Sequence, residues 1–318
     1  MPRLSRKSGL TASSVSLNSN PIYIVGPTGV GKSLISVELA SQFGGELVCA
    51  DAYQVYRGLS LLTAQPGPEL RTQVPHHLYG VVDPADSFDA AQFATQATQC
   101  ITEVTNRGAP PFLVGGSGLY VRALTEGLDE LPPVDATLRT ELEVLTRDEL
   151  RSRLEAADPE ALSQIDAQNP RRIQRALEIV LTTGRPLAEA RKMANKPRTG
   201  PPPRGIFVFR EKSEMDERIT QNVRAMFTAG VVEEVRSLGT VGPTASKAIG
   251  WREIHALLAG EMTETECIEA MILATRRYAK RQLTWFRNQT NFYPLNLTDL
   301  GSPFQMPRSA LEAIALIV

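Results

Sequence analysis

The segment GPTGVGKS, residues 26–33, limits what this chain can fold into more than any other part of the sequence. It matches the pattern G-x-x-x-x-G-K-[ST] in full, and it stands between an apolar run at residues 21–26 and a helical pattern at residues 34–43. Backbone N–H groups of such a loop, at the start of a helix, bind phosphate oxygens. We call residues 26–33 the phosphate loop and expect it to bind a di- or triphosphate through Gly26, Pro27, Thr28, Gly29, Val30, Gly31, Lys32 and Ser33.

Apolar runs rich in β-formers alternate with helical patterns through the first third of the chain. Residues 45–51 and 110–118 are further strand candidates, and a helical pattern at residues 94–108 precedes the second of them. This alternation predicts an α/β fold with a parallel sheet. Ligands bind such sheets at the carboxyl ends of the strands, where the phosphate loop, Asp51 and residues 115–117 fall. We therefore predict a P-loop NTPase-like parallel sheet flanked by helices, with these three segments close together.

The pattern changes after about residue 128. Residues 131–184 are charged, helical in pattern and nearly free of strand signals, and a loop rich in proline, glycine and basic residues follows before the strand pattern resumes at residue 205. The simplest interpretation is an α/β core interrupted by a helical insert. The predicted divisions are a disordered tail at 1–20, a catalytic core at 21–128 and 205–318, and a helical insert at 129–204.

Charge and cysteine content narrow the class of protein. The chain has 34 Lys and Arg against 35 Asp and Glu, a formal net charge of -1, so a nucleic acid must be bound by local basic patches. Three scattered cysteines without a CxxC pair fit a reducing compartment. No apolar run is long enough to span a membrane, and residues 1–20 lack the apolar core of a secretory signal. We expect a cytoplasmic protein.

Four polar side chains are candidates for chemistry. Asp51 can cap a turn, hold a magnesium ion or act as a general base. Ser117 stands in GGSG, which lacks the last glycine of a G-x-S-x-G elbow, so a hydrogen-bonding role is favoured over a nucleophile. The pair His76 and His77 has the wrong spacing for a metal site on one helix face, and a structural role is favoured.

Two clusters of basic residues lie in helical patterns. Their members are Arg171, Arg172 and Arg175 in the first, and Arg276, Arg277, Lys280 and Arg281 in the second. Each cluster is either a solvated helix face or a contact surface for phosphates. The second cluster has almost no acidic neighbours and is interleaved with aromatic residues, which is the composition expected for binding a nucleic acid.

Taken together, these motifs resemble the tRNA dimethylallyltransferase family over about residues 21–293. The resemblance is carried by GPTGVGKS, DAYQVYRG, TAQP, HHLYGVVDP, LVGGSGLY, RRIQRALEI, IGWREI and TRRYAKRQLTWFR, in this order along the chain. It implies transfer of a dimethylallyl group from dimethylallyl diphosphate to the exocyclic N6 amine of the adenine 3′ of the anticodon in tRNA. It also implies Mg²⁺ at Ser33 and an anticodon stem-loop as partner. We expect a monomer.

The resemblance also implies roles for single residues. Lys32, Asp51 and Ser117 are the implied catalytic residues, with Asp51 the general base at the adenine and Ser117, usually a threonine, between tRNA and donor. Lys247 stands where some members carry an arginine that reaches the diphosphate. The implied tRNA contacts are Asp51, Ala52, Tyr53, Gln54, Ser117, Arg139, Arg171, Arg172, Arg175, Arg276, Arg277, Lys280 and Arg281.

Five positions depart from the family pattern. Ala52 replaces a serine, Leu62 and Gln65 replace a glycine and a lysine, Asn169 replaces an acid, and Trp251 replaces a tyrosine. These changes bear on efficiency and tRNA preference more than on the type of reaction. Two alternatives remain from the sequence: a small-molecule P-loop kinase, and a tRNA-binding homologue with weak catalysis.

Overall fold

A computed structural model describes residues 20–128, 131–194 and 202–300 of the chain. Its strands form one parallel sheet with the order β3-β2-β4-β1-β5-β6. This confirms the predicted α/β fold with a parallel sheet, while the two edge strands β3 and β6 were not predicted. The strands are β1 (Ile22–Val25), β2 (Glu46–Cys49), β3 (His76–His77), β4 (Pro111–Gly115), β5 (Arg204–Phe209) and β6 (Tyr293–Asn296).

The described residues divide into two compact units, the parts of Met1–Leu124 with Pro201–Val318 and the part of Thr125–Gly200. The predicted tail at residues 1–20 lies, apart from Asn20, outside the described residues. The helices, in chain order, are α1 (Lys32–Phe43), α2 (Pro68–Arg71), α3 (Ala90–Asn106), α4 (Gly118–Thr125), α5 (Ala136–Glu143), α6 (Arg147–Ala157), α7 (Pro170–Thr183), α8 (Leu187–Ala194), α9 (Lys212–Thr228), α10 (Val231–Ser237), α11 (Trp251–Leu258) and α12 (Glu264–Gln289).

The central strands are buried on both faces. Every residue of β1, β2 and β4 is buried, which explains why these segments read as continuous apolar runs without alternation. Helix α3 begins four residues before the predicted start, because Asp89 accepts hydrogen bonds from the N–H groups of Ala91 and Gln92 and forms a capping box with Gln92. None of the helices in the described ranges has the length and apolar composition of a bilayer-spanning segment.

Two helices occupy the predicted helical stretch after β5. The helical stretch is interrupted between α9 and α10 at Gly230, whose φ of 92° is a left-handed conformation that favours glycine. Helix α12 follows Thr263, which is its N-cap and forms a capping box with Glu266, and it runs for 26 residues. Helix α11 was not predicted. These helices matter for function because α9 and α12 both supply walls of the cavity described below.

The smaller unit contains α5 to α8 around its own apolar core. The buried side chains of this core are Leu142, Leu150, Leu154, Ala161, Ile173, Ala176, Leu177, Ile179, Val180, Leu187 and Ala190. Asn169 caps α7, since its side-chain oxygen accepts the N–H of Arg171 at 3.1 Å, and Pro170 occupies the first turn. Asparagine and aspartate are comparable helix caps, so this departure from the family pattern keeps the local structure.

Candidate active site

The sheet order brings the three predicted segments together. Strand β4 lies between β1 and β2, so the loop after β4 touches both the phosphate loop and the loop that carries Asp51. The N–H of Gly26 donates to the carbonyl of Gly115 at 3.4 Å. On the other side, the N–H of Ala52 donates to the Ser117 hydroxyl at 2.8 Å. The loop after β4 is therefore hydrogen-bonded to both neighbouring loops.

A cavity of about 230 Å³ opens where these loops meet. Predicted site residues that line it are Thr28, Gly29, Gly31, Lys32, Ser33, Asp51, Tyr53 and Gln54. The predicted site residues of the catalytic core that do not line it are Gly26, Pro27, Val30, Ala52, Ser117, Lys247, Arg276, Arg277, Lys280 and Arg281. Much of the opposite wall comes from α9, α12 and the turn before α11, through Arg218, Asn222, Met226, Ala248, Ile249, Met271, Thr275 and Tyr278.

The phosphate loop ends in a helix N-terminus. Gly31 is the N-cap of α1 with a φ of 106°, and no side chain caps the helix. The first N–H groups of a helix have no acceptor within it, so they are available to an anion. Three side chains fix the loop: Arg218 Nε donates to the carbonyl of Gly29 at 3.0 Å, Arg210 Nε donates to that of Val30 at 2.9 Å, and Gln282 Oε1 accepts the N–H of Thr28 at 2.9 Å.

Lys32 is the cation of the loop. Its Nζ donates to the carbonyls of Gly26 at 3.0 Å and Pro27 at 2.9 Å. Burial lowers the pKa of the Lys32 ammonium to about 8, and the negative charge of Asp51 partly opposes this shift. An anionic ligand in the cavity favours the charged form, so it raises this pKa again.

Asp51 forms the turn that follows β2. Its Oδ1 accepts the N–H groups of Tyr53 at 3.0 Å and Gln54 at 3.4 Å, which is an Asx-type turn. Within the described ranges, Oδ2 of the same carboxylate has no hydrogen-bond partner. One oxygen thus holds the loop, and the other is available to a ligand in the cavity.

The oxygen donors at the cavity suit a magnesium ion shared with a substrate. Ser33 lines the cavity at the start of α1, and Asp51 contributes a carboxylate. In the part of the chain that the structure describes, no cluster of three His, Cys, Asp or Glu side chains is arranged to hold a metal. Mg²⁺ commonly binds one or two protein oxygens together with phosphate oxygens and water, so this donor set fits it.

Several side chains at the site were not named by the sequence analysis, among them Arg218 and Gln282. Arg218 lines the cavity and contacts the phosphate loop, and Gln282 is a buried polar residue with 5% exposure. A usable signal was present for Gln282: it stands three residues after Ala279 and four before Phe286, which are both buried, so it occupies the apolar face of α12. A polar residue at such a position requires buried hydrogen-bond partners.

The basic residues of α12 differ in their environment. Arg276 donates to the carbonyl of Asp216 at 3.2 Å and to the hydroxyl of Thr220 at 3.1 Å, and it pairs with the Asp216 carboxylate at 3.3 Å. It is therefore tied to α9. The other three, Arg277, Lys280 and Arg281, are exposed. Their role in binding tRNA stays a prediction.

In the smaller unit, two of the predicted arginines share one carboxylate. Arg139 and Arg175 approach the buried Glu178 at 3.6 Å and 3.1 Å, while Arg171 and Arg172 are exposed. Two guanidinium groups therefore share one buried carboxylate here. Contact of these arginines with tRNA also stays a prediction.

The departures at positions 62 and 65 have structural explanations. Gln65 Nε2 donates to the carbonyls of Gln54 and Tyr56 at 2.9 Å each, and its Oε1 accepts from Arg71 at 2.8 Å. It thus braces the loop that follows Asp51. Leu62 is buried and lines the cavity, and its N–H donates to Glu234 at 2.8 Å.

Comparison with known proteins identifies the family. The sequence model described as IPP transferase matches residues 54–289. The chain is 45% identical over 280 residues to the tRNA dimethylallyltransferase of Geobacter metallireducens, covering 85% of this chain and 90% of the relative. It is 40% identical over 293 residues to that of Akkermansia muciniphila, covering 92% and 97%.

Solved structures agree with these sequence matches. The full-length tRNA isopentenylpyrophosphate transferase of Bacillus halodurans is 36% identical, with a TM-score of 0.67, over 94% of this chain and 96% of that one. A eukaryotic dimethylallyltransferase acting on tRNA is 27% identical, with a TM-score of 0.78, over 94% and 78%. The matches favour the predicted transferase over a small-molecule kinase, and they confirm the resemblance found from the motifs. The chain belongs to the IPP transferase family.

Proposed function

We propose that this chain transfers a dimethylallyl group from dimethylallyl diphosphate to the N6 amine of the adenine 3′ of the anticodon in tRNA. The observation that carries the proposal is that the phosphate loop and the Asp51 carboxylate line the same cavity. A diphosphate on the loop thus has a base beside it. Relatives at 40% identity or more that bear the name tRNA dimethylallyltransferase support the same reaction.

The acceptor side of the reaction depends on Asp51. The lone pair of an adenine N6 amine is delocalised into the ring, so the amine is a weak nucleophile. As the bond between N6 and C1 of the dimethylallyl group forms, N6 must lose a proton, and the free Oδ2 of Asp51 takes it as general base. The Asx turn at Oδ1 keeps the carboxylate in place while this happens.

The donor side depends on the phosphate loop. The bond between C1 and the diphosphate oxygen breaks, and negative charge develops on the leaving group. Lys32, the first N–H groups of α1 and the guanidinium of Arg218 meet that charge. Ser33 would hold Mg²⁺, which supplies further neutralisation of the diphosphate when bound.

The tRNA must present an unstacked adenine to the cavity. Extruding a base costs on the order of a few kcal/mol, and less when the base is already single-stranded, as in an anticodon loop. The exposed Arg277, Lys280 and Arg281 lie on the same helix as Tyr278 and Thr275, which line the cavity. We expect these cations to bind the phosphates of the anticodon stem-loop.

The test is a transfer assay with purified protein, labelled dimethylallyl diphosphate and Mg²⁺. One anticodon stem-loop carries adenine 3′ of the anticodon, and its matched control carries guanine there. Label on the adenine-bearing RNA alone supports the proposal. Tight RNA binding without transfer of label would identify a tRNA-binding homologue in which the departures from the family pattern have removed catalysis. That result would contradict the proposal. Consumption of ATP with a metabolite acceptor, measured in parallel, would favour the kinase alternative.

A further inference from the structure

A buried amide side chain joins the phosphate loop to the loop after β4. Gln282 Oε1 accepts the N–H of Thr28 at 2.9 Å, and its Nε2 donates to the carbonyl of Gly116 at 2.8 Å. Both of its polar atoms are thereby used. A Cβ on Gly116 would lie 2.3 Å from Nε2 of Gln282, so a glycine is required for the amide to reach this carbonyl.

The next residue continues the connection toward Asp51. Ser117 follows Gly116 directly, and its hydroxyl accepts the N–H of Ala52 at 2.8 Å. Three hydrogen bonds and the peptide link between residues 116 and 117 therefore connect Thr28 in the phosphate loop, through Gln282, to the residue after Asp51. We call this the Gln282 brace.

The brace connects the two places where the reactants meet. The phosphate loop binds the leaving group, and Asp51 accepts the proton of the attacking amine. Displacement at C1 requires the amine and the leaving group on opposite sides at near-contact distance, and a misplacement of about 1 Å can cost about a hundredfold in rate. The spacing of these two loops therefore bears directly on the rate of transfer in the ternary complex.

We propose that Gln282 is a positioning residue for the transfer step, which sets the spacing between the diphosphate cradle and the turn that carries Asp51. The proposal rests on the proposed function. Gln282 does not line the cavity, so we expect it to touch neither reactant. Each reactant should therefore bind alone almost as well without it, and the loss should fall on the reaction between them.

The experiment compares Gln282→Met with the wild type. Methionine has a similar length and shape and makes neither hydrogen bond. We expect single-turnover transfer to fall by about 10- to 100-fold, while the Kd values for dimethylallyl diphosphate alone and for the anticodon stem-loop alone change by less than about threefold. Gln289→Met, at the exposed end of the same helix, is the matched control and should keep the wild-type rate.

Gln282→Glu supplies a second readout through its pH profile. A protonated carboxyl accepts from Thr28 and donates to the carbonyl of Gly116 as the amide does, whereas a carboxylate cannot donate. We expect its transfer rate, relative to wild type at each pH, to rise as the pH is lowered. Gln282→Met should show no such relative recovery. A role confined to core packing would not produce this difference, and the glutamate variant also covers the case in which the methionine variant fails to fold.

The outcomes separate the two proposals. If the wild type transfers the dimethylallyl group and Gln282→Met does so at the same rate, the positioning role is overturned and the proposed function stands. A loss explained by a weaker Kd for the donor alone would assign Gln282 to binding and also overturn it. An absence of transfer in the wild-type protein would overturn the proposed function, and the positioning role with it.

Discussion

The hydroxyl of Ser117 accepts the backbone N–H of Ala52 at 2.8 Å, so a side chain on the loop after β4 holds the turn that carries Asp51. Ser117 is buried, with 8% exposure, and lies outside the lining of the cavity. The sequence analysis favoured a hydrogen-bonding role for Ser117, and this bond fixes the backbone next to the proposed base. The family pattern has a serine at position 52, where this chain has Ala52. The bond to Ser117 uses the main-chain N–H of residue 52, so it does not depend on the missing hydroxyl.

Asp51→Asn should abolish most of the transfer activity. The amide oxygen can still accept from Tyr53 and Gln54, so the turn is kept, but the group no longer takes a proton. We expect a loss of about 10²- to 10⁴-fold in the single-turnover rate, with little change in the Kd for tRNA. Asp83→Asn, at an exposed turn where the same type of bond holds Ala85 at 2.9 Å, is the matched control. An active Asp51→Asn enzyme would rule out the general-base role.

The affinity for dimethylallyl diphosphate should fall as the pH rises above about 8. Burial lowers the pKa of Lys32 to about 8 in the free protein, and the bound diphosphate favours the charged ammonium. Binding above this pH therefore takes up a proton, and the affinity declines by up to about tenfold per pH unit. Titration of the Kd between pH 7 and 9.5 measures this decline. Lys32→Arg stays charged throughout and should give a flatter profile, whereas equal slopes would exclude Lys32 as the source.

Arg218→Gln should weaken donor binding. The guanidinium lines the cavity and already contacts the phosphate loop through the carbonyl of Gly29. Hydrogen bonds to charged groups contribute about 1.5–3 kcal/mol, so we expect the Kd for dimethylallyl diphosphate to rise by roughly 10- to 100-fold. Arg224→Gln, exposed on the same helix, is the control. If both variants bind the donor as the wild type does, Arg218 acts only on the fold.

Replacing Arg277 and Arg281 with glutamine should flatten the salt dependence of tRNA binding. Both side chains are exposed on α12, and each cation that contacts a phosphate adds about one unit to the slope of log K against log salt. We expect the double variant to lose about 1–2 units, measured by titration at several salt concentrations. Arg276→Gln should change the slope less, because Asp216 and Thr220 already bind this guanidinium. An unchanged slope in the double variant would assign this face to solvent.

Glu46→Gln should lower thermal stability at neutral pH but not in acid. The guanidinium of Arg107 holds the pKa of Glu46 below its ordinary value of 4.5, burial opposes this, and a hydrogen bond with His77 adds to the lowering. A carboxyl whose pKa is lowered by folding stabilises the protein above the unfolded pKa, and this contribution is lost as the pH falls through the folded value.

Thermal unfolding across pH 3–7 checks this prediction. The Tm of Glu46→Gln should lie a few degrees below that of the wild type at pH 7, and the two should converge toward pH 3. Glu38→Gln, exposed on α1, should track the wild type throughout. A constant gap at all pH values would mean that packing, and not the charge of Glu46, is responsible.

The sequence alone was sufficient where local patterns determine the structure. Continuous apolar runs predicted the central strands, and the phosphate loop together with Asp51 predicted which strand ends meet, because the carboxyl ends of parallel strands share one edge of a sheet. The edge strands were not predictable in this way. The strand His76–His77 has two residues, and its place in the sheet depends on pairing with Leu47 and Val48.

The contacts that complete the site were also beyond the sequence. Arg218 and Gln282 lie far along the chain from the phosphate loop, and only the packing of α9 and α12 brings them to it. The environment of Arg276 was likewise set by a neighbouring helix and not by its own charge pattern. Residue type indicated candidates in each case, whereas tertiary contacts decided their roles.

The bond between Thr28 and Gln282 spans 254 positions of the chain. During synthesis, the phosphate loop and Asp51 therefore leave the ribosome long before the helix that braces them and forms one wall of the cavity. A nascent chain at that stage has the sequence of the anion-binding loop but lacks the cavity wall that Met271, Thr275 and Tyr278 supply. The cavity can therefore be complete only once α12 has been synthesised and has packed against α9.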